Sequence, residues 1–293
     1  MQLAQATRRY LVQIEADGRA PSTIAQYRRH LALLDGWLAT ARRPQDVRKL
    51  SHEDLAAFLT SPAATRRPDG IPKKATAMNV LRSSLRAFFG YVHAAGMAPR
   101  NPAALVRRAR CSPPPPRTLS DDEVHRLLAV ADARPGRAAR RDRMLVRLML
   151  GTGLRLGSAL GLRVQDVDLE RGELRVLRTK GDAPLTLPVS RQVARELRAY
   201  LGGATAGPVF PGAAGRVLTG RQAGRRIAEL ARAAGLAAKA SAHVLRHVFA
   251  CRLLKDTGGN LPIVQQALAH RSIASTTVYA RLEGSALRAA LRA

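Results

Sequence analysis

The chain has 293 residues, room for two ordinary hydrophobic cores, and is 46% hydrophobic but only 4% aromatic. Lys and Arg outnumber Asp and Glu by 49 to 21, a formal net charge of +28, and the excess is shared, +13 over residues 1–117 and +15 over 118–293. That charge calls for a polyanionic partner, of which double-stranded DNA is the simplest, while two distant cysteines and the lack of a long apolar run argue against a disulfide framework, a cysteine zinc site, a signal peptide or a membrane partner.

The expected location is therefore cytoplasmic and nucleoid-associated. With so few aromatics, Leu, Ala and Val are expected to fill the cores, which favours a mainly α fold. Ser22 is positioned to cap TIAQYRRHLALLDGWL, in which Ile24, Tyr27, Leu31, Leu34 and Leu38 form an apolar stripe. Ser51, followed by Glu53 and Asp54, caps LAAFL. The stretch 65–74, TRRPDGIPKK, reads as a loop carrying Arg66, Arg67, Lys73 and Lys74, and 75–95 as a helix with Arg82 and Arg86 an i,i+4 basic pair. About four helices over residues 1–110 make a compact DNA-binding domain, with Arg28, Arg66, Arg67, Lys73, Lys74, Arg82 and Arg86 as candidate DNA contacts.

The four prolines of CSPPPPR cannot sit inside a helix or a paired strand and mark a stiff linker at 111–118. The second domain, 119–293, opens with Ser120 as cap and Glu123 as its capping-box partner. RDRMLVRLMLGTGLRLGSALGL follows as helix, glycine break and second helix. Leu174–Arg178 and Leu185–Pro188 alternate around KGDAP as a β-hairpin. Helices are expected at 190–201, 219–234 and 242–255, then shorter ones. The last segment, EGSALRAALRA at 283–293, is an amphipathic helix suited equally to docking on a neighbouring copy or on its own domain.

Four short stretches hold side chains that complement one another: Arg155 in GTGLR, Lys180 at the hairpin tip, His243, Arg246 and His247 in HVLRH, and His270 followed by Tyr279 in AHRSIASTTVY. Singly, each reads as a solvated charge or a packing residue. His243 and His247 have the i,i+4 spacing of zinc ligands, but no HExxH glutamate or third ligand accompanies them, so no metal is expected. Together they compose a phosphoryl-transfer set. Two arginines can hold non-bridging phosphate oxygens, a lysine and a histidine can move protons, and a tyrosine can act as nucleophile. Fixed cations do the work that Mg²⁺ does elsewhere, so no cofactor is expected.

These stretches, in order and spacing, resemble the catalytic boxes of the tyrosine recombinase (phage integrase) family, and STIAQYRRHLALLDGWL resembles its helical, SAM-like core-binding domain. The resemblance runs from about residue 5 to 281. It implies an N-terminal core-binding domain and a C-terminal α+β catalytic domain that form a C-shaped clamp on DNA. Arg155 and Arg246 would match the phosphate-clamping arginines, Lys180 the general acid, His243 the proton-transfer histidine, His270 the phosphate-orienting residue and Tyr279 the nucleophile, with His247 in support. It further implies two protomers per site, four per synapse, strand exchange through a Holliday junction, and a possible accessory recombinase or directionality factor. The core-binding helices are expected to start close to Met1, which would resemble the Xer-like arrangement without an arm-binding domain. Three positions depart from the family pattern: Ser158 for a usual acid, Ala269 for a usual glycine, and Ala280-Arg281 for Thr-His. The alternatives are a type IB topoisomerase, which shares the residue set but acts without a partner protomer, and a DNA-binding protein that never cuts.

Overall fold

The computed structural model describes residues 1–111, 117–177, 184–236 and 240–269. The chain divides into two compact units, Met1–Pro113 and Pro114–Ala293. Among the described residues no helix is long and apolar enough to cross a membrane.

The N-terminal unit is built of α1 (Leu3–Ala16), α2 (Pro21–Thr40), α3 (His52–Thr60), a single turn α4 (Pro62–Thr65) and α5 (Ala75–Ala94). Ser51 caps α3 with a full capping box, its hydroxyl receiving the Asp54 N–H while the Asp54 side chain receives the Ser51 N–H. Ser22 does not cap α2. The helix starts one residue earlier, at Pro21, because proline at the first helical position has its φ preset and no N–H left unsatisfied. The apolar stripe on α2 is as expected, with Leu31, Leu34 and Leu38 buried.

Leu, Ala and Val make up most of the core of this unit, as expected, and a few aromatic rings join them. Phe58, Phe88 and Phe89 are all completely buried. Tyr10 meets the Phe88 ring edge-on at 5.5 Å, and Trp37 lies 5.5 Å from Phe58. Aromatic rings bury more area than aliphatic side chains and favour such tilted contacts, so a few of them suffice for a small five-helix core. Two polar side chains on α5 are also buried, Asn79 and Ser84. Ser84 crosses to α2, its Oγ 2.8 Å from His30 Nδ1.

The second unit is organised on α7 (Arg137–Thr152), which buries Met144, Leu145, Val146, Leu148, Met149 and Leu150. The N-terminal half of this helix is rich in arginine, but residues 144–150 are buried on nearly every side, which makes the second half central. Four helices, α6 (Asp121–Ala133), α9 (Arg191–Leu201), α10 (Gly220–Ala233) and α11 (Ala242–Asp256), all pack against α7. The starts of α6, α9, α10 and α11 are capped by Ser120, Ser190, Thr219 and Ser241. Ser120 and Glu123 form the expected capping box.

The glycine break after α7 leads into the short α8 (Leu156–Gly161) and a 3₁₀ turn at Val164–Asp166. The sheet has three antiparallel strands in the order β1 (Val167–Asp168), β2 (Glu173–Val176), β3 (Leu185–Pro188). Val176 pairs with Leu185 and Leu174 with Leu187, and Leu174, Val176 and Leu187 face the core. The hairpin strands match the alternation seen in the sequence; the two-residue edge strand β1 is too short to announce itself there. The final described helix, α12 (Leu261–Ala267), lies on α11 through Ala250, Leu254, Val264 and Leu268. The amphipathic segment 283–293 lies outside the described residues.

Candidate active site

Arg246 is the buried anchor of the site. It sits in α11 among core residues, 5% exposed, and burying a guanidinium without partners would cost several kcal/mol, on the order of the protein's whole stability. Two carbonyls supply the partners: Nη1 donates to Gly153 O and Nη2 to Leu268 O, both at 2.7 Å. Each acceptor lies at a helix C-terminus, Gly153 at that of α7 and Leu268 at that of α12. The last carbonyls of a helix have no intrahelical donor and carry its negative partial charge. A cation held between two such ends is stabilised and fixed in orientation.

The backbone is shaped for this. Gly153 is left-handed at φ 62°, and a Cβ there would collide with the Phe249 ring and with Leu268. Only glycine allows α7 to end so close to α11 and α12. Ala269 is likewise left-handed, at φ 48°. The resembled family places glycine at this position, and the structure shows why: the turn after α12 requires a conformation that alanine adopts at a cost of about 1–2 kcal/mol.

His243 lies one turn before Arg246 on α11, and His247 one turn after His243, their rings crossing edge to face with centroids 4.3 Å apart. His243 is exposed at the surface, and the partial desolvation of its packed side, then the charges of Arg246 and Arg155, hold its pKa below the usual histidine value. Burial, with His243 and Arg246, brings His247 down to about 4. Both imidazoles are therefore neutral at neutral pH. Arg155, the half-exposed N-cap residue of α8, is close enough for its charge to act on His243. Gly153 and Arg246 are 93 residues apart in the chain, so the fold brings Arg155, His243, Arg246 and His247 together. Ser158, where the resembled family often has an acid, is buried in α8.

Lys180, His270 and Tyr279 lie outside the described residues. No group of three or more His, Cys, Asp or Glu side chains among the described residues is placed to hold a metal ion.

The candidate DNA contacts all fall in the N-terminal unit. Arg28, Arg67, Lys74 and Arg86 are exposed and Arg82 is half-buried. Arg66 is exposed but donates to Gly70 O at 3.0 Å. Lys73 donates to Ala64 O at 2.8 Å, so it ties its loop to α4, and burial lowers its pKa. The sequence reading missed Arg107, Arg108 and Arg110, exposed on the segment after α5. Their clustering was visible, but no periodicity marked the segment as ordered.

Comparison with known proteins agrees with this architecture. Residues 117–285 match the phage integrase family and residues 8–96 the phage integrase N-terminal SAM-like domain. The chain is 35% identical over 264 residues to the tyrosine recombinase XerC of Xanthomonas campestris pv. campestris, covering 89% of this chain and 79% of that protein. It is 32% identical over 280 residues to the tyrosine recombinase XerD of Proteus mirabilis, covering 92% and 86%. The fold is that of a lambda integrase fragment crystallised as a dimer on a COC' core site (TM-score 0.72, 21% identity, 93% and 96% coverage). It is also that of the site-specific recombinase XerH in a post-cleavage complex on a palindromic difH substrate (0.73, 22%, 92% and 79%). By both sequence and fold, the chain belongs to the phage integrase family of tyrosine recombinases.

Proposed function

We propose that this protein is a site-specific DNA recombinase that cuts and rejoins strands through a 3′-phosphotyrosyl intermediate, without a metal or a nucleotide cofactor. The observation that carries this reading is the convergence of Arg155, His243 and Arg246 in a chain alignable to Xer recombinases along most of its length.

In the proposed reaction Arg155 and Arg246 hold the non-bridging oxygens of the scissile phosphate. Arg246 enters with its guanidinium plane already fixed by two carbonyls, so no reorganisation is needed as charge develops. The Tyr279 phenol attacks phosphorus; the P–O bond to tyrosine forms as the P–O5′ bond breaks. Lys180 gives a proton to the departing 5′ oxygen. The phenol proton passes to His243, whose neutral imidazole can accept it. His270 orients the phosphate and His247 supports His243. A 5′-hydroxyl from the partner strand reverses the step, so one phosphodiester is exchanged for another and no ATP is consumed.

Protomers would act in pairs on a site and in fours at a synapse, through a Holliday junction; lambda integrase has been crystallised as a tetramer bound to one. An accessory recombinase or directionality factor and a nucleoid location belong to the same proposal.

Covalent trapping tests it. Cells expressing wild type or Tyr279→Phe are lysed in SDS, and protein-linked DNA ends are sequenced. Adducts at one recurring site, in wild type alone, are the expected result. Scattered adducts would indicate a topoisomerase. Adducts that persist in Tyr279→Phe would overturn the assignment of the nucleophile.

A further inference from the structure

Asn79 is a buried polar side chain, 3% exposed, on a helix whose other buried positions are mostly apolar. Its amide meets the backbone of Ala109 as one strand meets another: Oδ1 accepts from Ala109 N at 2.8 Å, and Nδ2 donates to Ala109 O at 2.9 Å. Nδ2 also reaches Cys111 Sγ at 3.3 Å. The segment it grips, Arg107–Cys111, has no regular secondary structure. Such a segment would ordinarily be free to wander; here one side chain satisfies both backbone groups of its middle residue.

The gripped residue is flanked by cations. Arg107, Arg108 and Arg110 are exposed around Ala109. Arg82 and Arg86 stand three and seven positions after Asn79, on the same face of α5, and Arg82 Nη1 donates to Asn79 Oδ1 at 3.3 Å. Arg86 and Arg108 share an open notch of ≈ 460 Å³ with Ser83 and Asn101, hydrogen-bonding groups that suit a phosphate oxygen. None of Arg86, Arg107, Arg108 and Arg110 has a carboxylate within salt-bridge distance among the described residues.

We infer that Asn79 is a positioning residue for DNA binding: by clamping Ala109 it turns the segment 107–110 into a fixed basic arm. With Arg82 and Arg86 that arm follows the sugar-phosphate backbone, and the Arg86–Arg108 notch receives one phosphate. This rests on the DNA-binding reading above but adds a surface and a mechanism to it. A clamped arm holds its arginines at the phosphates, whereas a loose one leaves part of those contacts unmade because ordering it would cost more than they return. Releasing the clamp therefore lowers both affinity and salt slope.

The test is the salt dependence of affinity for a mixed-sequence DNA duplex, measured on the full chain between about 50 and 200 mM salt, where each phosphate contact contributes about 0.9 to the slope of log K against log salt. Wild type is compared with Asn79→Ala, with the triple variant Arg107→Ala/Arg108→Ala/Arg110→Ala, and with all four changes together. The triple variant is expected to lower the slope by about 2–3. Asn79→Ala should lower it by about 1–2 with every arginine present, and should add nothing when combined with the triple variant. Trypsin should cut Asn79→Ala faster than wild type within 107–110, while unchanged far-UV circular dichroism reports an intact fold.

An unchanged slope in the triple variant would overturn the arm as a DNA contact. An unchanged slope in Asn79→Ala, or an effect additive with the triple variant, would overturn the clamp. If Asn79→Ala unfolds, Asn79→Asp, which keeps the acceptor for Ala109 N–H but loses the donor, is held to the same two criteria. Salt-insensitive binding by wild type would instead sink the DNA-binding reading itself, a distinguishable result.

Discussion

Replacing Gly153 with alanine tests the account of how Arg246 is held. At φ 62° an L-residue costs about 1–2 kcal/mol relative to glycine. The new methyl would also overlap the Phe249 ring and Leu268, and overpacking of this kind costs about 1–3 kcal/mol. Reduced entropy of the unfolded chain returns about 0.4–1 kcal/mol. The net loss is roughly 2–4 kcal/mol, a large fraction of the stability of an ordinary domain. In urea, at an m-value of about 2 kcal/mol/M, the midpoint of the second unit should fall by roughly 1–2 M with m unchanged. Urea titration followed by far-UV circular dichroism reads this out. Gly157→Ala is the control. It has no neighbour within 4 Å of a Cβ and no positive φ, and in the helical α8 it should be neutral or stabilising by up to about 1 kcal/mol. A Gly153→Ala protein within about 0.5 kcal/mol of wild type would refute both the close approach of α7 to α11 and the need for the left-handed turn.

Ala269→Gly should act in the opposite direction, relieving the strain at φ 48° against the greater flexibility of unfolded glycine, for a net gain of about 0.5–1 kcal/mol in the same urea titration; destabilisation would count against the strained turn. Stability should also fall as pH drops from about 6.5 towards 4. Histidines of the unfolded chain take up protons across that window, whereas folded His247 and His30 do so only at about 4 and folded His243 below its usual value. The unfolded state thus binds more protons there, and its share grows on acidification. Urea midpoints at pH 7 and pH 5 check the sign, and His247→Gln should flatten part of the slope.

Much of this was legible in the sequence where a residue's local chemistry sufficed. Ser51 and Ser120 announce their helices because a hydroxyl followed three residues later by an acid satisfies two N–H groups reciprocally. His243 and Arg246 were paired by helical spacing. What the sequence could not give depends on backbone acceptors, which every residue carries alike. Nothing in the letters says that the carbonyls of Gly153 and Leu268 converge on Arg246, or that Asn79 grips Ala109 from thirty residues away. Ser22 was misassigned because Pro21, with its φ preset, takes the first helical position and moves the cap back to Ala20. The assignments to Lys180, His270 and Tyr279 rest on order and spacing in the sequence.

The distribution of rings in the two cores gives the protein an optical asymmetry. Its single tryptophan, Trp37, leans on Phe58 in the N-terminal unit, and the second unit contains none. Excitation of indole therefore reports on one half of the chain, while backbone dichroism, drawn from helices in both, reports on the whole. Subtracting one melting curve from the other isolates the second unit without cutting the chain, so each substitution described here can be traced to the half in which it acts.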